Sequence, residues 1–307
     1  MPIKIPADLP AAAALEKENI FVMTDERASQ QDIRPLEIAI VNLMPTKIAT
    51  ETQLLRLLGN TPIQVNITLL RAAEHQSSHV PAAHLERFYQ TFDEKRKFDG
   101  MIITGAPIEH LEFNEVDYWE ELTAIMRHAK KNVYSTLYLC WAAQAALHLF
   151  YNISKYKLPR KMSGIFSHRV LYPDTPLFRG FDDTFFAPHS RHTSILASDV
   201  EKEKNLRILA DSDEAGLAIM ESADKSQVFV TGHLEYDRDT LALEYQRDIG
   251  RGLSPHIPLH YFPDNNPQNQ PVMNWKSHAH LFFSNWLNYY VYQGTPFILN
   301  SLEKQEF

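Results

Sequence analysis

Among 307 residues there is one cysteine, Cys140, and it stands where an apolar run, STLYLC, gives way at once to a helical pattern, WAAQAALHLF. In an open parallel sheet, ligands gather at the carboxyl ends of the strands. A side chain on a sharp strand-to-helix turn is presented there, and the helix N-terminus favours a thiolate. The plainer reading of a lone cysteine is a buried packing residue. A cysteine nucleophile needs a base, and the base needs an orienting group. His233 and Glu235 offer that pair, two residues apart just after the strand-like run VFVTG. In extended backbone this spacing sets both side chains on one face. The carboxylate would then fix the imidazole tautomer and stabilise its cation. With 14 histidines in the chain, a His-x-Glu alone is weak; its place after a glycine-ended strand strengthens it. Together the three residues are the parts of an activated cysteine nucleophile, with the packing reading of Cys140 still open.

The elements around them follow from hydrophobic period. Residues 36–44 predict a buried strand, 48–58 a helix stopped by Gly59, and 63–70 a second strand. A short helix is expected over 85–92, a buried strand over 98–105 and a helix over 115–130. Next come the strand 135–140 and the helix 141–150. Strand and helix alternating through short connections predict a parallel sheet with crossover helices. Residues 163–230 hold short strand-like runs, which predict hairpins or an antiparallel extension. A helix over 238–251, a Pro/Asn-rich loop over 254–274 and a final helix over 276–293 complete the chain. The last helix carries an aromatic stripe read as core or subunit interface. The expectation is a single α/β domain spanning 1–307, with an N-terminal extension over about 1–35 and a tail over 295–307.

Composition narrows the function classes. The formal charge is −8, from 30 basic and 38 acidic residues, which disfavours a reader of phosphate backbones, so no nucleic-acid partner is expected. A single cysteine excludes an internal disulfide and cysteine-rich zinc sites and fits a reducing compartment. No apolar stretch reaches the length of a membrane span, and the N-terminus lacks a signal-peptide core. A cytoplasmic protein without a membrane partner is expected. His278-x-His280 falls at the start of a predicted helix, where such spacing does not converge, so no metal site is expected.

Several separated motifs, YLCWAAQAAL, TGHLEYD, NLMPTKIATETQLLRLL, TGAPIEHLEF, KMSGIFSH, APHSR and SNWLNYYVYQ, resemble the homoserine O-acyltransferases in order and spacing over nearly the whole chain. One departure is Leu234, where that family's motif usually has proline. The resemblance implies a mostly parallel open sheet flanked by helices, of the flavodoxin-like, class I glutamine-amidotransferase-like kind. It implies Cys140 as nucleophile, His233 as base and acid, and Glu235 as its partner. It implies an oxyanion hole from the helix-start N–H of Trp141 and from Lys47, on the loop just after the first strand. Lys161, Ser190 and Arg247 match substrate-binding positions, and a guanidinium suits a bidentate carboxylate contact. His168, His189 and His192 are read as structural.

The resemblance further implies an acyl-CoA donor with no other cofactor, L-homoserine as acceptor, and methionine biosynthesis as the pathway. Glu109 bears on the donor: members using succinyl-CoA tend to have glycine there, those using acetyl-CoA glutamate. A glutamate would fill the space and repel the succinyl carboxylate, at a screened cost on the order of 1–4 kcal/mol. Ser190 is the second residue expected to shape the acyl pocket. Acetyl-CoA is therefore the expected donor, with succinyl-CoA, serine as acceptor, or an amidotransferase on the same scaffold as alternatives. A non-catalytic binding protein is disfavoured by the intact Cys140, His233 and Glu235. A homodimer is compatible with this reading.

Overall fold

The computed structural model describes residues 3–6, 8–18, 22–23, 34–72 and 80–295. Its core strands are β3 (Leu36–Val41), β4 (Val65–Arg71), β6 (Gly100–Ile103), β7 (Ser135–Leu139) and β12 (Gln227–Val230). Short strands β1 (Ile3–Lys4), β2 (Val22–Met23) and β5 (Tyr89–Thr91) lie at the β4 side. All these pair in parallel. Beyond β12 the sheet turns antiparallel through β11 (Gly216–Ser222), β10 (Leu206–Ser212), β8 (Lys155–Val170) and β9 (Thr184–Ile195). The order is β2-β1-β4-β3-β6-β7-β12-β11-β10-β8-β9, a mostly parallel sheet with an antiparallel extension.

The helices cover both faces because the strands are apolar on both. Along β3, Leu36, Ile38 and Ile40 enter one core cluster and Ala39 and Val41 the other. The first cluster is closed by α2 (Lys47–Leu58), α7 (Lys276–Asn285) and the π-helical turn Trp286–Tyr292 that continues α7. The second is closed by α4 (Trp119–Asn132) and α5 (Trp141–Tyr151). The aromatic stripe of the last helix is core: Phe282, Phe283, Trp286 and Leu287 are fully buried. Near the N-terminus α1 (Pro10–Lys17) packs on α2, and α6 (Thr240–Gly250) follows β12.

Three expectations shift. The helix foreseen over 85–92 is α3 (Ala82–Phe88), and its last residues become β5. The helix over 276–293 changes from α to π at Trp286. Strand β10 supplies a partner between β8 and β11 that periodicity did not single out. The tail 295–307 lies almost wholly outside the described residues, as does much of the N-terminal extension. Among the described residues no helix is long and apolar enough to cross a membrane.

Candidate active site

Cys140 ends β7 and caps α5. Its backbone takes φ 49° and ψ −113°, a conformation that L side chains adopt at a cost of about 1–3 kcal/mol. The turn is held from both sides. The Cys140 N–H donates to Val230 O at 2.7 Å, and Gly105, just past β6, leaves room: a Cβ there would lie 3.2 Å from the Cys140 Cβ. The next residue, Trp141, opens α5 with a first-turn N–H that the helix itself cannot pair.

His233 and Glu235 do not lie in extended backbone, as the spacing had suggested. They sit in a turn just past β12, closed by the Tyr236 N–H donating to His233 O at 3.2 Å. The turn still brings the side chains together. His233 Nδ1 donates to Glu235 Oε1 at 2.6 Å, since a carboxylate only accepts, and both groups are buried. Cys140 lies within electrostatic and hydrogen-bonding reach of the same imidazole. Burial works to depress the His233 pKa, but the charges of Cys140 and Glu235 outweigh it and hold it well above the usual histidine value. The backbone N–H of His233 is anchored on Pro188 O at 2.8 Å. The Tyr236 ring stacks on the imidazole, centroids 4.1 Å apart.

Tyr236 leads from the cysteine to the substrate-binding candidates. Its hydroxyl donates to Glu244 Oε1 at 2.9 Å. The second Glu244 oxygen accepts from Ser190 Oγ at 2.5 Å and from Lys161 Nζ at 3.3 Å. Lys161 also reaches Asp248 at 3.1 Å, and Arg247 clamps Asp248 Oδ1 from Nε and Nη2 at 2.9 and 2.8 Å. Although partial burial opposes it, Asp248 is held below the usual carboxylate range by Arg247 and Lys161. Lys161, Ser190 and Arg247 thus converge on two acids of α6, and Arg247 keeps nearly half its side chain exposed. Sequence reasoning missed Glu244 and Asp248. The signal was present: residues 244, 247 and 248 share one helical face.

Strand β9 serves two faces. Ser190 faces Glu244, and His192 lies within electrostatic reach of Glu109, Lys161 and Asp248. His189, Arg191 and Thr193 face the other way, where Thr193 and Gln144 exchange hydrogen bonds that lock β9 to α5. Arg191 is fully buried and is bonded to His189 Nδ1 and to Ala215 O. A guanidinium only donates, so His189 carries its proton on Nε2 and donates to His168 Nε2 at 2.9 Å. Burial pushes the His168 pKa down to about 4, with Arg191 adding to it, so this stack is neutral. The two histidines read as structural seat a buried cation within electrostatic reach of Cys140.

Glu109 is buried on a turn after β6. Lys47 is not on a loop but is the first residue of α2, and it is buried. Its ammonium donates to Asn42 O at 2.5 Å and lies over the Tyr89 ring, with Glu51 near. Burial brings its pKa down to about 8. This places Lys47 at the carboxyl end of β3, two strands from β7, with its hydrogen bond directed to Asn42 rather than to Cys140. His278 and His280 fall on α7, where His278 pairs with Asp182 at 3.3 Å.

The chain is similar to known proteins over nearly its whole length. A family model described as homoserine O-succinyltransferase matches residues 2–297. A homoserine O-acetyltransferase of Desulfovibrio desulfuricans is 66% identical over 304 residues, covering 98% of this chain and 97% of that protein. Another, from Acetivibrio thermocellus, is 60% identical over 305 residues, covering 99% of this chain and 100% of that one. In three dimensions the fold is similar to a glutamine amidotransferase of Thermotoga maritima. The TM-score is 0.52 at 9% identity, covering 83% of this chain and 98% of that one. A glutamine amidotransferase of Methylobacillus flagellatus gives a TM-score of 0.51 at 12% identity, covering 84% and 95%. At such identities these two speak for the fold alone.

Proposed function

The chain belongs to the homoserine O-acyltransferase family, and from that premise we propose that it transfers an acetyl group from acetyl-CoA to the hydroxyl of L-homoserine. The observation that carries the mechanism is the buried Cys140–His233–Glu235 constellation at a strand-to-helix turn. The Cys140 thiolate attacks the thioester carbonyl, the C–S bond to CoA breaks, and His233 returns a proton to the departing thiolate. One thioester replaces another, so little driving force is spent. The homoserine hydroxyl then attacks the acyl-cysteine while His233 takes its proton, and O-acetyl-L-homoserine leaves. The Trp141 N–H is the oxyanion donor on the nucleophile's own helix. Lys47 is the second oxyanion candidate; to serve, its ammonium has to exchange Asn42 O for the oxyanion.

On the acceptor side, Glu244 and Asp248 suit an ammonium, and Arg247 suits a carboxylate once it leaves Asp248. Lys161 and Ser190 hold the two acids in place. The family model bears the succinyl name and the similar relatives the acetyl name. Buried Glu109 favours the acetyl reading, because a succinyl carboxylate in the same pocket would meet a like charge. The step belongs to methionine biosynthesis.

The test is intact-protein mass after mixing with acetyl-CoA or succinyl-CoA and no acceptor. One acetyl adduct, missing in Cys140→Ala and discharged by homoserine, is expected. A succinyl adduct instead overturns the donor. No adduct and no transfer to homoserine with either donor overturns the mechanism.

A further inference from the structure

Lys155 opens β8, three residues after α5 ends in left-handed Asn152, so it is covalently close to the helix that carries the nucleophile turn. Among the described residues its ammonium makes no ion pair. It donates to the Glu109 carbonyl at 2.8 Å and to the Leu111 carbonyl, and it lies 4.8 Å from the Phe113 ring centroid. Residues 108–111 form a turn closed by the Leu111 N–H on Ile108 O at 3.0 Å, and Glu109 is one of its two central residues. Three ammonium donors match two carbonyls and a ring face, so the cation clamps the backbone of this turn rather than neutralising an acid. Partial burial lowers the Lys155 pKa while Glu112, Glu109 and Glu115 oppose this. The clamp and the site share the β8–β9 strand pair: Lys155 pairs with Ile195, and beyond an irregularity between Lys157 and Met162 Ser163 pairs with Ser190.

We propose that Lys155 is a positioning residue for acyl-donor choice, holding the Glu109 turn at a fixed distance from Cys140 and Ser190. The proposal rests on the reading of Glu109 as the group that disfavours a longer, anionic acyl chain. Without the clamp the turn relaxes, the carboxylate shifts, and the pocket admits that chain.

The experiment compares kcat/KM for acetyl-CoA and succinyl-CoA in the wild type, Lys155→Met, Lys155→Arg and Glu109→Gly, and measures discharge of the preformed acyl-enzyme by homoserine. In Lys155→Met the acetyl-to-succinyl ratio is expected to fall about tenfold, the scale of a displaced rather than a deleted group, mostly through KM for the donors. Discharge by homoserine is expected to stay unchanged, and Lys155→Arg, which can still donate to both carbonyls, to recover most of the ratio. Equal losses with both donors, leaving the ratio unchanged in Lys155→Met beside a changed one in Glu109→Gly, overturn the clamp alone and mark the lysine as merely structural. An unchanged ratio in Glu109→Gly as well overturns the donor reading together with the clamp.

Discussion

His233 is asked to keep a proton between a cysteine sulfur and a carboxylate inside the protein, and its surroundings do this against burial. The 2.6 Å bond to Glu235 orients the ring, and the charges of Cys140 and Glu235 raise its pKa. An unfolded histidine titrates near about 6.5. A folded value above that binds the proton more tightly in the native state. The stabilisation is therefore full below the unfolded value and is lost as pH rises through the folded one. His233 followed by NMR is expected to titrate above its ordinary value in the wild type and lower in Glu235→Gln. The stability gap between the two proteins should be widest near about pH 6 and narrow as pH rises through the folded midpoint. A His233 midpoint that Glu235→Gln leaves in place would contradict this account.

Elements, rather than single residues, set the distance between the two halves of the site. Strand β9 touches the His233 turn through Pro188, Glu244 through Ser190 and α5 through Thr193, so the helix after Cys140 and the acids of α6 share one support. Strand β8 backs β9 and is itself tied to the 254–274 loop. The Ile165 N–H donates to Leu259 O, and the Leu259 N–H to Ser163 O, at 2.9 and 2.8 Å. That crossing needs Gly164, with φ 154° and a virtual Cβ only 2.4 Å from Leu259 O. Gly164→Ala is expected to destabilise the protein by about 2–4 kcal/mol through strain and loss of these bonds, measured by denaturant unfolding. A cost below about 1 kcal/mol would show that the loop yields without consequence.

At the scale of the whole molecule, the sheet is pinned from below by the C-terminal segment. The Trp286 indole is fully buried, its Nε1–H donates to Ser135 Oγ at 3.0 Å, and its ring edge lies where a Cβ on Gly100 would meet it at 3.1 Å. The strands that begin at Gly100 and Ser135 are β6 and β7, and they end beside Gly105 and Cys140. Trp286→Ala leaves a large cavity under both and is expected to cost about 3–5 kcal/mol in equilibrium unfolding. Because the cavity lies at the opposite end of these strands from Cys140, the acetylated fraction of the folded variant should match the wild type. A stability loss below about 1 kcal/mol would mean the segment is not the pin it looks to be.

How much of this was legible in the sequence depends on the range of the interaction. Local and periodic features were: the parallel strands, the helix that begins at once after Cys140, the apolar last helix, and the His233–Glu235 pair all rest on neighbours within a few residues. The chain alone determined the residue types and order of Cys140, His233 and Glu235. Only the tertiary structure decided what depends on chain segments far apart. It set His233 and Glu235 on a turn rather than a strand. It joined Lys161 and Ser190 to Glu244 and Asp248 across more than fifty residues, and paired His168 with His189 under Arg191. It also turned the Lys47 ammonium onto Asn42. Hydrophobic period reports which face of an element is buried, whereas a polar contact between distant segments depends on where those faces meet once packed.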